Sequence, residues 1–464
     1  MPGFNLQELL ERGAPRKFGL HERLLNGQLV RVLRTIGFDR QYVSGLGAHL
    51  YDAEGNRYLD LLSGFGVFGI GRNHPTVKDA LSQVLAADLP NLVQLDVSVL
   101  SGLLAERLLK LMPGLDKMFF CSSGAEAVEA ALKFARFATG RQRIVYCEHA
   151  FHGLTYGALS VNGDDEFRSG FEPMIPDCVA VPFNDLRALE AALASRDVAA
   201  FIVEPIQGKG VNLPADDYLP EAARLCRKYG TLFVADEVQT GVGRTGRFLA
   251  IEHWNVEADM VLLAKALSGG QVPVGAVGLK RWIFDRVFDR MDRAVVHGST
   301  FSKTDLAMAA GLATLSVIED ERLIERARVR GAELLADFEA LQARHEMLID
   351  VRGKGLMIGL EFGCPDSLKM RIAWRMLDQL EKGLFCQMLI MPLFARHRVI
   401  AQVAGHRMPV IKLLPPYVIS DEDRVWIREA FDAVLSDCRS VRSSVLPMMR
   451  DLAAGAMLGR AKAG

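Results

Sequence analysis

Two short apolar runs in this chain each end in charged groups. Leu232 to Ala235 leads into Asp236 and Glu237, and Met260 to Ala264 leads into Lys265. Such runs, followed by glycine-rich segments, read as buried parallel strands. In an open α/β sheet the carboxyl ends of the strands form the ligand crevice. Asp236 and Lys265 are therefore expected at one cavity, although 29 residues separate them. A lysine is nucleophilic only when deprotonated, and a desolvated strand end lowers its pKa far enough to let it form a Schiff base with an aldehyde. Pyridoxal phosphate carries such an aldehyde. Its sites combine a Schiff-base lysine with an acidic partner for the pyridinium nitrogen. Asp236 suits the acid's role, keeping that nitrogen protonated so that the ring accepts electrons as a substrate C–H bond breaks. Gln239, three residues on, suits a hydrogen bond to the ring's phenolic oxygen, and Phe151 suits stacking on one ring face.

The phosphate of such a cofactor needs a cradle. Lys117 to Cys121 reads as a strand, Ser122 to Ala125 as a turn and Glu126 to Ala138 as a helix with Val128, Ala131, Leu132 and Ala135 apolar. A strand running into a helix start exposes unpaired N–H groups and the positive end of a dipole, which is a site for phosphate. Ser123, Gly124 and Ala125 are the residues expected to hold it, and Glu204 is a further polar group at a strand end. Simpler readings compete. The turn alone is an ordinary helix cap. Asp236 and Lys265 alone are an ion pair bridging two strands, although buried pairs stabilise poorly. GVGRTG, Gly241 to Gly246, matches a dinucleotide fingerprint by its letters. Five residues separate it from the preceding strand, and FLAIEHW is a poor start for a crossover helix, so the required context is missing.

These groups need a scaffold to bring them together. At 464 residues the chain exceeds the usual size of a single core. The net charge of −1 gives no electrostatic footprint for nucleic acid. The seven cysteines are scattered without metal-type spacing, which points to free thiols, no metal site and a cytoplasmic setting. The first 25 residues lack the apolar middle of a signal peptide, and no uncharged apolar run reaches the roughly 20 residues of a membrane span.

Strands at Ile144 to Cys147, Val179 to Pro182 and Ala200 to Val203 alternate with helical segments such as Asp185 to Ala194. The pattern implies an α/β fold with a mostly parallel, doubly wound sheet. Ahead of it lie a helix start at Asn5 and Glu8, a hairpin of HLYD and RYLDL around AEGN, the glycine-rich loop Gly64 to Pro75, and a helical pattern from Thr76 through Leu108. After Thr300 come long helices, Leu306 to Ile318 and Glu321 to His345, then a strand pair in VRGKGLMIGLEF. The expected division is 1–80, an N-terminal segment contributing to a small domain and the site rim; 81–310, a large cofactor-binding domain; 311–440, a small α+β domain; and 441–464, a tail.

The stretches SSGAEAVEAALKFAR, HAFHG, EPIQG, VADEVQTGVGRTGRF, LLAKALSGG and HGSTF resemble the class-III aminotransferases. These are fold-type I pyridoxal-phosphate transferases such as ornithine, acetylornithine and putrescine aminotransferases. The resemblance spans about residues 20 to 435. It implies that Lys265 is the Schiff-base lysine and acid/base of the proton shift, that Asp236 and Gln239 act as above, and that Phe151 covers the ring with His152 beside it. Glu204 falls among the cofactor contacts. The residue matching Thr300 reaches the phosphate of the neighbouring subunit's cofactor, which implies a homodimer with shared sites. An amino donor and a carbonyl acceptor would be the small-molecule partners.

Departures from the family's pattern bear on substrate. The usual QGE is Gln207-Gly208-Lys209, the arginine expected before the late Pro-Pro is Lys412, and GGNP after STF is replaced by Ser302-Lys303-Thr304-Asp305. An ammonium does not replace the two-pronged geometry of a guanidinium. Lys209 and Lys412, with Phe65 and Val67 of the glycine-rich loop, are the substrate candidates; the alternative for the lysines is two solvated rim groups. STFSKTDLAMAAGLATL and the two variants are similar to the branch that contains the aminotransferase of hopanoid biosynthesis, which implies an amphiphilic substrate. Ile372 to Met391 reads as a greasy entrance or as core. The basic tail after Cys438 suits a membrane surface or a frayed terminus. An aminomutase, racemase or decarboxylase on the same scaffold is the nearest rival. A cofactor-binding regulatory protein is the rival of another class, against which the complete set of Lys265, Asp236, Gln239 and phosphate turn stands.

Overall fold

The computed structural model describes residues 4–93, 96–367, 371, 374, 384–405 and 407–438. Near the N-terminus β1 (Tyr42–Leu46), β2 (His49–Asp52) and β3 (Arg57–Asp60) form antiparallel pairs, with β2 and β3 as the expected hairpin. The central sheet contains β4 (Lys117–Cys121), β5 (Arg143–Cys147), β6 (Cys178–Val181), β7 (Val198–Val203), β8 (Leu232–Asp236), β9 (Met260–Leu263) and β10 (Gly275–Leu279). Their spatial order is β4-β10-β9-β8-β7-β5-β6. The run from β9 to β6 is parallel, and β10 is antiparallel to both neighbours. Every residue of β7, β8 and β9 is buried. That is why these strands carry continuous apolar runs rather than alternation: both faces of a parallel sheet are covered. Because β8 and β9 are adjacent and parallel, their carboxyl ends open at the same edge.

In the C-terminal part, β11 (Leu348–Lys354) and β12 (Met357–Phe362) form the expected strand pair. Next come β13 (Val399–Ile400), β14 (Gln402–Val403) and β15 (Val410–Leu413). A third sheet has the order β11-β12-β15-β14, while β13 joins the N-terminal sheet beside β3. The two ends of the chain thus share a sheet. Among the described residues no helix is long and apolar enough to cross a membrane.

Several element boundaries differ from the sequence expectation. The helical pattern from Thr76 to Leu108 divides into Pro75–Ala86 and Val99–Leu111. Asp88 and Asn91 adopt left-handed backbone between them, and Pro90 has no N–H to continue a helix. The helix expected from Glu126 begins at Gly124, because Ser123 caps it by accepting from Glu126 N–H at 3.1 Å. The helix expected from Glu321 begins at Leu323, after Arg322 turns left-handed. Within Ile372 to Met391 the described helix Leu384–Ala395 buries Phe385, Met388 and Leu389 in the core while its Gln387 lines the Lys265 cavity; residues 372–373 and 375–383 lie outside the described residues. Residues 439–464, the basic tail, lie outside the described residues.

Candidate active site

β8 ends in Asp236, and Lys265 follows β9 after Ala264, so both reach one cavity of about 990 Å³. Asp236 Oδ2 pairs with His152 Nδ1 at 2.7 Å, and Oδ1 accepts from Val238 N–H at 3.0 Å. The His152 side chain has no exposed surface and that of Asp236 has 4%. Among the described residues Asp236 is hydrogen-bonded to His152 and makes no ion pair with Lys265, so the strand-bridging Asp–Lys pair is not formed.

Lys265 has φ +45, a left-handed conformation that costs a side-chain-bearing residue on the order of 1–3 kcal/mol and clusters at functional sites. Burial holds its ammonium below the usual lysine range, with Asp236 and Glu204 pulling the other way. Desolvation wins, which favours the neutral, nucleophilic amine. Glu204 accepts from Phe151 N–H at 2.9 Å and from Gly208 N–H at 2.8 Å, tying two loops of the cavity wall together. Burial raises its carboxyl above the usual range.

Ser122 to Ala125 line the same cavity at the start of the 16-residue helix Gly124–Thr139. Ser123 Oγ is engaged in capping, whereas the buried Ser122 Oγ has no hydrogen-bond partner among the described residues. A Cβ at Gly124 would stand 2.8 Å from Val238 Cγ1, so glycine is what lets the loop after β8 lie against this helix start. His152 Nε2 is a second buried polar atom without a partner among the described residues. Two orphaned polar atoms, a helix N-terminus and a buried acid at one cavity fit the ring and phosphate of pyridoxal phosphate.

Phe65, Val67, Phe151 and Gln239 line the cavity as well. Gln239 Nε2 donates to Phe65 O at 3.0 Å. Neither lysine is a solvated rim group, which corrects that alternative: Lys209 is 7% exposed and Lys412 6%. Lys209 Nζ pairs with Asp164 at 2.7 Å and Glu166 at 2.8 Å, and lies 5.0 Å from the Phe167 ring centroid. Lys412 belongs to β15, paired with Gly359 on one side and Gln402 on the other. Its Nζ donates to Gly208 O at 2.7 Å and to Gln239 Oε1 at 3.3 Å. Burial, the largest influence, lowers it to about 7. Thr300 is the exception: it is exposed and lines a separate cavity of about 1280 Å³ with Val99, Val295 and His297. Glu166, Phe167, Gln387 and Gln402 line the Lys265 cavity without having been singled out. The acidic run Asp164-Asp165-Glu166 was a usable signal; the two glutamines carry none.

Residues 37–435 match the aminotransferase class-III family. The chain is 38% identical to an acetylornithine aminotransferase of Bacillus cereus over 384 residues, 82% of this chain and 91% of that protein. It is 31% identical to the aminotransferase PigE of a Serratia species over 90% of this chain but only 53% of that longer protein, so it spans about half of it. An ornithine aminotransferase structure from Toxoplasma gondii superposes with a TM-score of 0.77 at 30% identity, covering 91% of this chain and 97% of that one. The fold and the cavity are those of a pyridoxal-phosphate-dependent transferase. The chain belongs to the class-III aminotransferases. Its large mostly parallel sheet, its smaller antiparallel sheet and its use of pyridoxal phosphate go with that family.

Proposed function

We propose that this aminotransferase works through Lys265 as nucleophile and proton carrier, with a primary amine or aldehyde whose reacting carbon bears no carboxylate as its distinctive substrate. When bound, pyridoxal phosphate supplies the electron sink that makes an α C–H bond acidic. Asp236, oriented by His152, holds a proton on the ring nitrogen. Ser123, Gly124 and Ala125 would hold the phosphate, and Phe151, whose N–H is held by Glu204, would pack against the ring. Lys265, desolvated at the cavity wall, would hold the cofactor's aldehyde carbon and, as a free amine, would take up or deliver a proton at the substrate's reacting carbon. The carrying observation is the convergence of a desolvated lysine and a buried His–Asp pair on one cavity. An aminomutase, racemase or decarboxylase would share these parts, but the relatives named above are aminotransferases.

The substrate class follows from the two lysines. Lys209 is neutralised by Asp164 and Glu166, and Lys412 is held by two neutral oxygens. Among the described residues the cavity therefore lacks the guanidinium fork that grips an α-carboxylate. Phe65, Val67 and Phe151 on its wall suit an ω-amino compound, a diamine or an amphiphilic chain such as a hopanoid side chain. The enzyme is proposed to act as a cytoplasmic homodimer, its seven free cysteines suiting a reducing compartment.

Two measurements test the reading. The purified protein should absorb in the visible, bleach with an amino donor, and lose both band and turnover in Lys265→Ala; full activity in that variant would refute the assignment. A donor and acceptor screen should favour diamines, ω-amino compounds or amphiphilic aldehydes over α-amino acids. Preference for glutamate and 2-oxoglutarate in both half-reactions would overturn the substrate class.

A further inference from the structure

We propose that Lys412 is a positioning residue: its ammonium fixes the orientation of the Gln239 amide and, through it, the hydrogen bond offered to the cofactor's phenolic oxygen. The inference rests on the role of Gln239 as partner of that oxygen. A glutamine amide offers an oxygen acceptor at one end and two N–H donors at the other, and its neighbours decide which end points where. Here the Phe65 carbonyl decides. Phe65 O can only accept, and it meets Nε2 at 3.0 Å, which leaves Oε1 facing Lys412 Nζ at 3.3 Å; as the ammonium, the form that prevails below about pH 7, Nζ can only donate. The amide oxygen is thus turned to Lys412, and one N–H of the NH₂ group remains beyond the bond to Phe65.

Gly208 belongs to the same assembly. Its carbonyl accepts from Lys412 Nζ at 2.7 Å, and its N–H is bound by Glu204 at 2.8 Å. A Cβ at position 208 would stand 2.6 Å from Gln239 Oε1 and 3.0 Å from Glu204 Oε2. Only a glycine leaves room for the amide between Lys412 and Phe65. The arginine expected at position 412 is suited to a substrate carboxylate; the lysine found there is buried and turned onto protein oxygens instead. Its effect therefore falls on the cofactor in the absence of any substrate. A donor to the phenolic oxygen stabilises negative charge there, which lowers the pKa of the neighbouring Schiff-base nitrogen. Loss of the donor raises that pKa.

The test is a pH titration of the visible band of the cofactor-loaded enzyme without substrate, in wild type, Lys412→Met, Gln239→Leu and the double variant. Each single change should raise the midpoint by about one pH unit, the size set by one hydrogen bond to a charged group. The double variant should shift no further than either single one, because both act through the same contact. An unchanged midpoint in Lys412→Met would overturn the proposal. So would a Lys412→Met shift that persists in full in the Gln239→Leu background, since the cation would then act without the amide. Should Lys412→Met not fold, Gly208→Ala reads the same contact by displacing Gln239 Oε1; a raised midpoint supports the proposal and an unchanged one overturns it. Absence of any visible band in wild type would refute the cofactor reading and this inference together, a failure distinct from the others.

Discussion

Glu237 follows Asp236 in sequence, yet the two carboxylates live in different surroundings. Asp236 lines the cavity; Glu237 is 1% exposed and faces the loop behind it, accepting from Thr240 Oγ1 and from Ile251 N–H at 2.8 Å. Burial, the largest influence, pushes its carboxyl up to about 7 against those hydrogen bonds. The folded-state pKa lies above the unfolded value, so the fold favours the protonated form. The associated stability is complete below about pH 4.5 and is lost as pH rises through about 7. Glu237→Gln has no proton to lose and keeps an acceptor for Ile251. Denaturant melts of the two proteins should show wild type losing stability relative to the variant between pH 5 and 8; parallel curves across that window would contradict the burial argument. At this scale Asp236, Lys265 and Gln239 were legible because strand ends and short spacings are one-dimensional properties. The partners of Lys209 and Lys412 were not. Lys209 meets Asp164 across 45 residues, and Lys412 meets Gln239 only because β15 inserts between β12 and β14.

The elements themselves were read with uneven success, for a physical reason. β7, β8 and β9 stand out in sequence because both faces are covered, so their apolar runs are uninterrupted. Helix boundaries depend instead on caps and on single residues with left-handed backbone, which periodicity does not register. The apolar pattern from Thr76 runs past Pro90, so the break there was overrun, and Ser123 starts its helix two residues earlier than the expected Glu126. Close approach between elements was equally hidden: Gly124 reads as part of a turn, but its necessity comes from Val238 on the loop after β8. Gly124→Ala tests that contact. The added methyl group is compatible with a helix and improves its propensity, yet at 2.8 Å it displaces the Val238 loop from the helix start. Cofactor retained after dialysis should fall well below wild type while helical content by circular dichroism is unchanged. Full retention would mean that the turn does not hold the phosphate.

Across the whole molecule, Thr300 and several exposed apolar side chains line one cavity away from Lys265. Thr300 lies outside the Lys265 cavity, and around it Val97 is 83%, Met291 96% and Val295 93% exposed. Large apolar side chains exposed together mark an interaction surface. The proposed homodimer accounts for both facts at once, with Thr300 of each subunit serving the phosphate of the other's cofactor. Complementation separates this from a structural role. Lys265→Ala removes the nucleophile from a subunit's own site, whereas Thr300→Ala would weaken the site of its neighbour. In a mixed dimer the two defects fall on the same site, leaving the other with both Lys265 and Thr300. Co-expressing the variants with different tags and purifying through both should therefore yield a protein more active than either parent dimer. If Thr300 acted within its own chain, each site of the mixed dimer would carry one defect, and activity would not exceed that of half a Thr300→Ala dimer. The comparison needs no structure of the dimer, because the arithmetic of shared sites distinguishes the two arrangements.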